Sequence, residues 1–238
     1  MRQTKYIMSG GLAFSEDKDM EKLRRFSLKG WHVSDFQFMG YTLKKGESSD
    51  YIYSVDYRSL KEGEEEEYFD FFLSSGWSHI ASEGDIHLFR ARPNIKPIYS
   101  DRDTSAEKYE SLARSVNRFA TPSILITVLA WIGAMISSDT LQSILFAIAV
   151  IFTVIAIPTV WTVIATYNNK WKVKEKKGLV SLFEIIPVLI FLIAIFILLY
   201  VDGKAANILA SMLIGAIALP TAIWIIMSLY QKMAGKKA

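Results

Sequence analysis

Four apolar runs follow Phe119, at about residues 121–137, 141–166, 179–201 and 206–230. A helix needs roughly 20 mainly apolar residues to cross a hydrocarbon core about 30 Å thick. A water-soluble domain of this size could not bury four such stretches in succession. The second and fourth runs carry no charged residue, and the third, Leu179 to Val201, carries only Glu184. The first is the shortest and opens on Thr121-Pro122. These runs predict an all-α four-helix transmembrane bundle over residues 121–238, with the lipid bilayer as its partner.

Charge sets the orientation. Between the second and third runs, residues 170–177 hold Lys170, Lys172, Lys174, Lys176 and Lys177, and the chain ends with Lys232, Lys236 and Lys237. Arg114 and Arg118 precede the first run. The other two loops offer Asp139, and Asp202 with Lys204. Lys and Arg stay on the cytoplasmic side, so both termini are expected inside, and the protein is expected to be a multi-pass plasma-membrane protein. Trp171, Tyr167 and Tyr230 fall at the interface on the basic side, and Tyr200 on the other. Residues 1–118 hold 18 Lys and Arg against 20 Asp and Glu, while residues 119–238 hold nine against four, which gives the net charge of +3. A pI of 8.9 would otherwise point to nucleic acid. Here the positive excess lies beside the apolar runs, so a membrane surface is the expected partner and nucleic acid is not.

The apolar half shows an internal echo. Run two carries Ile157-Pro158-Thr159-Val160-Trp161 and run four carries Leu219-Pro220-Thr221-Ala222-Ile223-Trp224. Pro122 and Pro187 lie near the starts of the other two helices, and each outer loop carries one Asp. The match describes two helical hairpins inserted the same way round. Each kink proline lacks an N–H, which frees the carbonyl one turn earlier: that of Val154 for Pro158 and of Ala216 for Pro220. Thr159 and Thr221 stand beside them with hydroxyls that can serve the disturbed backbone. The kinks read either as packing features, the cheaper reading, or as a hinge lining a site. Glu184 reads either as an intramembrane functional carboxylate or, two turns past the lysine cluster, as a partner for Lys176 or Lys177.

The first half reads as an α+β domain over residues 1–98 that repeats itself. A strand at about 4–9 leads to a helix at about 15–29, capped by Ser15, with Glu16 and Asp17 at its positive end and Met20, Leu23 and Phe26 as its apolar stripe. Gly30 ends it, Trp31 opens the next strand, and strands at about 31–38 and 40–45 follow. The order then recurs. A strand at about 50–58 alternates Tyr51, Tyr53, Val55 and Tyr57 with Ile52, Ser54 and Asp56. A helix at about 62–75 ends at Gly76-Trp77, and strands at about 77–82 and 85–91 close the unit. Aligned on Gly30 and Gly76, Phe26 matches Phe72, Leu23 matches Phe69 and Glu21 matches Glu67. The tandem strand-helix-strand-strand pattern is expected to assemble into one domain. Trp31, Trp77 and Tyr53 are candidates for stacking on a ligand, against the simpler role of core and cross-strand pairs.

Reaction chemistry is sparse. There are no cysteines, so disulfides, thiolate catalysis and cysteine-containing metal sites are excluded. His32, His79 and His87 match no metal spacing; His32 and His79 follow the two repeated tryptophans, which would let them approach across a pseudo-twofold axis. The acidic run from Glu62 to Glu67 suits a solvated helix start. Gly10-Gly11 lacks the Lys-Ser/Thr of a phosphate loop. Neither a cofactor nor a metal is expected, and the protein is expected not to be an enzyme. With no apolar leader in residues 1–30, the first domain is expected to stay in the cytoplasm. Residues 99–120 read as a linker and juxtamembrane helix, from a polar turn at Ser100–Thr104 through Tyr109, Leu112 and Val116.

Certain short stretches carry a family likeness. Phe14 before a charged helix, Lys29-Gly30-Trp31, Ser75-Gly76-Trp77, Phe89-Arg90, and Pro97-Ile98-Tyr99-Ser100-Asp101 leading to Glu107-Lys108-Tyr109 resemble the bacterial domain-of-unknown-function 2812 family over about residues 1–110. The resemblance implies a module that some members pair with membrane helices, mainly in Gram-positive bacteria, and it brings no catalytic residues. The expected function is that of a non-enzymatic, membrane-anchored binding or regulatory protein whose cytoplasmic domain recognises a peptide, small molecule or protein. The alternative is a transport accessory protein or small transporter, motivated by the Pro-Thr pairs.

Overall fold

A computed structural model describes the backbone of residues 3–37, 40–201 and 203–234, and the side chains of these except 205, 219–220 and 223–234. Phe38 and Asp202, and the side chains of Pro220, Trp224, Tyr230 and the C-terminal lysines, therefore lie outside the described residues. The chain forms two compact units, one running to Arg118 and taking in Thr162–Lys176, the other comprising Phe119–Trp161 and the chain from Lys177 onward.

The first unit begins with β1 (Thr4–Met8), α1 (Leu12–Leu28), β2 (Trp31–Gln37) and β3 (Gly40–Lys45). It continues with β4 (Ile52–Tyr57), α2 (Glu65–Ser74), β5 (Ser78–Glu83) and β6 (Ile86–Ala91). The strands make two antiparallel three-stranded sheets, β1-β3-β2 and β4-β6-β5, each with the third strand of its repeat in the centre. A bulge interrupts each β-hairpin at the same place, between Val33 and Asp35 in the first and between His79 and Ala81 in the second. Those positions are 46 residues apart, as are Gly30 and Gly76, so the repeat seen in the sequence extends to the register of the strands. Both glycines adopt positive φ, +73° and +87°, where a Cβ would be strained, and each ends its helix by turning the chain into the next strand.

α1 starts earlier than the expected 15–29. Its first turn begins at Leu12, and Ser15 departs from helical geometry at φ −146°, ψ 29°, so that residue separates a leading turn from the helix proper. Leu23 is fully buried, with Met20 and Phe26 packed beside the same cluster. That cluster draws on both repeats: Ile7, Leu23, Val33, Phe36 and Leu43 meet Tyr53, Val55, Tyr57 and Leu88. One core therefore holds the two repeats of the first unit together, with α1 packed against β2 and β4. The second sheet is also covered on its other face, where α2 sets Tyr68 and Phe72 against Trp77, Phe89 and Ala91. This double cover explains why Asp56, on the face opposite Val55, is buried as well.

Residues 99–118 do not hang free of this unit. They include the start of α3 (Arg102–Ile136), whose Leu112 joins the shared core with Val116 alongside. The end of α4 (Asp139–Val173) docks there too. Asn169 donates to the Ala13 carbonyl at 2.8 Å, Asn117 to the Tyr167 hydroxyl at 2.9 Å, and Lys170 pairs with Glu110 at 2.9 Å.

The second unit is helical. It holds the remainder of α3 and α4, together with α5 (Lys177–Tyr200) and α6 (Lys204–Ala234). Among the described residues three helices, α3, α4 and α5, are long and apolar enough to cross a membrane; the apolar stretch described in α6, Ala206–Ala218, is shorter than the expected fourth span. Small residues make the close contacts, as expected where helices pack in an apolar solvent. Ala130 and Ala149 meet around Trp131, whose indole N–H donates to the Thr153 hydroxyl at 2.9 Å. Outward faces are apolar: Leu192, Ile193, Phe196 and Leu199 of α5 are all exposed.

Candidate functional site

The two repeats share a backbone plan but not a chemistry. In the first, the face of the β2–β3 hairpin opposite α1 carries Val33, Phe36 and Tyr41, all buried, with Leu23 above them. Phe36 and Tyr41 stack at 5.2 Å, and the Tyr41 hydroxyl donates to buried Asp19 at 3.2 Å. The residues 46 positions later are His79, Ser82 and His87, with Phe69 in place of Leu23 and Glu65 in place of Asp19. An apolar contact in one repeat is thus a polar row in the other.

Strand geometry creates the row. Glu83 pairs with Ile86 across the two residues Gly84-Asp85, and Gly84 takes the positive φ of +58° that such a tight connection needs. This register sets Ser82 opposite His87. Residues 79 and 82 would face opposite sides of a regular strand, since side chains alternate. The bulge at Ile80 shifts the phase by one residue and returns His79 to the side of Ser82.

For neutral imidazoles the hydrogen-bond partners assign the proton positions. His87 Nε2 lies 2.9 Å from the Arg58 carbonyl, which only accepts, so that nitrogen carries the hydrogen. His87 Nδ1 is then an acceptor, and Ser82 donates to it at 2.7 Å. The Ser82 oxygen in turn receives the Nε2–H of His79 at 2.8 Å. His79 lies flat on Phe69, with centroids 3.8 Å apart and planes at 16°. Burial pushes the His79 imidazole below its ordinary range, and the neighbouring His87 lowers it further. The row borders a cleft of about 290 Å³, walled by Leu60 and Phe69 and flanked by Glu65 and Asp85.

A buried polar network lies behind the cleft. Tyr68, whose ring edge meets His87 at 5.2 Å, donates its hydroxyl to Asp56. Tyr99 donates to the other oxygen of Asp56. The Lys108 ammonium of α3 sits 4.9 Å from the Tyr99 ring centroid and 5.5 Å from that of Tyr57, and pairs with Glu16 of α1. Lys108 and Glu16 are both close to fully buried. Burial holds the Glu16 carboxyl above its ordinary range, against the opposing pull of the Lys108 charge and of the Lys108 and Tyr57 hydrogen bonds. α3 is held a second time at the cleft rim, where Ser115 donates to Asp85 at 2.6 Å.

The aromatic candidates fall into different places. Tyr53 belongs to the shared core and Trp31 packs partly buried against it, with the Lys45 ammonium 5.2 Å from the Trp31 ring centroid. Trp77 belongs to the α2 cluster, and its indole N–H donates to the Lys96 carbonyl at 3.0 Å. His32 bonds the Glu47 carbonyl and meets Tyr51 edge-on, while His79 pairs through Ser82 with His87. No group of three or more metal-ligating side chains occurs among the described residues. Glu184 is exposed and makes no ion pair among the described residues.

Beside the helix prolines, Thr159 donates to the carbonyls of Ile155 at 3.0 Å and Ala156 at 2.8 Å, and Thr221 to that of Ile217 at 2.7 Å. The side chain of Pro220 lies outside the described residues. The carbonyl that Pro220 frees, that of Ala216, accepts the indole N–H of Trp161 at 3.1 Å. One Pro-Thr segment therefore completes the backbone bonding of the other.

The cleft itself was not read from the sequence. The available signal was the short Gly84-Asp85 connection, which fixes Ser82 against His87; the bulge that brings in His79 had none. Residues 15–121 match the model of the family described as protein of unknown function (DUF2812). No curated protein and no solved structure matches the chain.

Proposed function

We propose, from a chain whose residues 15–121 belong to the DUF2812 family, that this is a membrane-anchored recognition or regulatory protein without enzymatic activity. The α+β unit lies in the cytoplasm and receives a ligand or partner. α3, α4, α5 and α6 supply four spans, with both termini inside and the plasma membrane as the home.

The observation that carries this reading is how α3 and α4 end. Each has 35 residues, about 52 Å at 1.5 Å per residue, against a hydrocarbon core of about 30 Å. The excess of each helix is part of the α+β unit, not free in solvent. Lys108 is held in the core of that unit and Ser115 at the rim of its cleft, which supports a role for α3 in responding to the cleft. A bilayer-spanning anchor alone needs no such seat.

Hydrogen exchange on the full chain in lipid nanodiscs tests this. Lys108→Met should raise amide exchange along residues 102–118 by about tenfold or more, and by more than along α2. Unchanged protection of that segment would remove the basis for coupling. The alternative role in transport draws on the Pro-Thr pairs; the Trp161 bond to the Ala216 carbonyl favours reading them as packing features.

A further inference from the structure

The second repeat gives up a core that the first repeat shows is available. Val33, Phe36 and Tyr41 fill the space between α1 and its hairpin. Replacing such residues by His79, Ser82 and His87 loses apolar burial and leaves a cleft. His87 is buried while His79 and Ser82 open onto the cleft, and a local exception of this kind to the pattern of the first repeat is expected at a functional site.

The character of the cleft narrows what it takes. Its polar row is internally satisfied, since each hydrogen of the chain from His79 through Ser82 to His87 already has an acceptor. The charged groups left to face the space are the carboxylates of Glu65 and Asp85, and no Lys or Arg lines it. The Arg58 guanidinium is turned onto the Tyr68 ring at 5.7 Å. Leu60 and Phe69 supply apolar walls. An anion would meet two like charges without a counter-charge. A cation with an apolar body meets both carboxylates and both walls.

We propose that the cleft between α2 and the β5–β6 hairpin is a binding site for a small organic cation, an ammonium group carried on an apolar or aromatic body. The inference rests on the recognition reading above and gives it a ligand class. It also gives the ligand a route to α3. The ammonium reaches Asp85, whose carboxylate holds Ser115, and the body lies against the row that backs onto Tyr68 and Asp56.

Benzylamine is the test probe, with benzyl alcohol and benzoate as its neutral and anionic counterparts. The readout is the imidazole ¹H–¹⁵N signals of the full chain in phosphatidylcholine nanodiscs. Benzylamine should shift the His79 and His87 signals saturably, benzyl alcohol should bind about fivefold more weakly, and benzoate should leave both in place. Glu65→Gln should weaken benzylamine by about fivefold. The triple variant His79→Val, Ser82→Phe, His87→Tyr installs the residues of the first repeat, and tryptophan fluorescence should show benzylamine binding lost with the fold retained. If that variant does not fold, Glu65→Gln decides alone. Equal or stronger binding of benzoate or benzyl alcohol, or no saturable shift with benzylamine, overturns the proposal. Should benzylamine fail while Lys108→Met still loosens residues 102–118, the cation is wrong and the coupling of the unit to α3 stands.

Discussion

Lys108 is the residue on which the attachment of α3 turns. Its ammonium is buried against Glu16 and three tyrosine rings, so removing it leaves an uncompensated carboxylate in the core. Lys108→Met should cost about 3–5 kcal/mol at neutral pH, measured by denaturant unfolding. Glu16 already has a raised pKa from burial, so the folded state takes up its proton more readily than the unfolded state does. Without Lys108 that pKa rises further. The variant should therefore regain stability as the pH falls from 7 towards the ordinary carboxylate value of 4.5. Adding Glu16→Leu should restore much of the loss at neutral pH and remove the gain on acidification that Glu16 gives. The two repeated tryptophans should separate in the same assay. Trp77 is buried among Phe72 and Phe89, and Trp77→Ala should cost about 3–5 kcal/mol; Trp31, half-exposed, should cost clearly less. Nothing in the sequence distinguished Lys108 from its charged neighbours, because its partner Glu16 lies 92 residues away. Leu23 and Val55 were legible by contrast, since helical and alternating spacing mark them locally.

At the scale of elements, the repeat was open to sequence reading because glycines, tryptophans and apolar stripes recur at one offset. Both Gly-Trp junctions, both hairpins and the central place of each third strand follow that offset. The bulges did not show, since one extra residue in a strand has no composition of its own. That omission hid the cleft, because without the phase shift His79 and Ser82 face apart. The triple variant carrying Val, Phe and Tyr should unfold at higher denaturant than the natural chain, as an apolar contact replaces the polar row. The natural chain should also lose stability as the pH drops below 6.5, the ordinary histidine value, towards the lowered pKa of folded His79. The cause is that His79, facing His87, Phe69 and Glu65, resists protonation when folded and accepts it freely when unfolded. Unfolding at pH 7.5 and pH 5.5 should show this loss shrink in His79→Val.

For the whole molecule, the apolar helices were the most legible feature and the ends of α3 and α4 the least. Hydropathy locates a span from twenty consecutive residues, but it is silent on whether the polar turns beyond it are solvated or docked. Asn169 and Lys170 look like solvated polar residues in the sequence, yet they bond Ala13 and Glu110. The proposed topology sets the α+β unit and the lysine-rich connection on the same inner side of the bilayer. The chain has no cysteine, so single substitutions report position cleanly. Ser138, in the exposed connection between α3 and α4, and Ser100, exposed ahead of α3, are the two positions to compare. With a membrane-impermeant maleimide on intact cells, Ser138→Cys should be labelled at once and Ser100→Cys only after the membrane is permeabilised. Labelling of Ser100→Cys in intact cells, with Ser138→Cys protected, would contradict the arrangement.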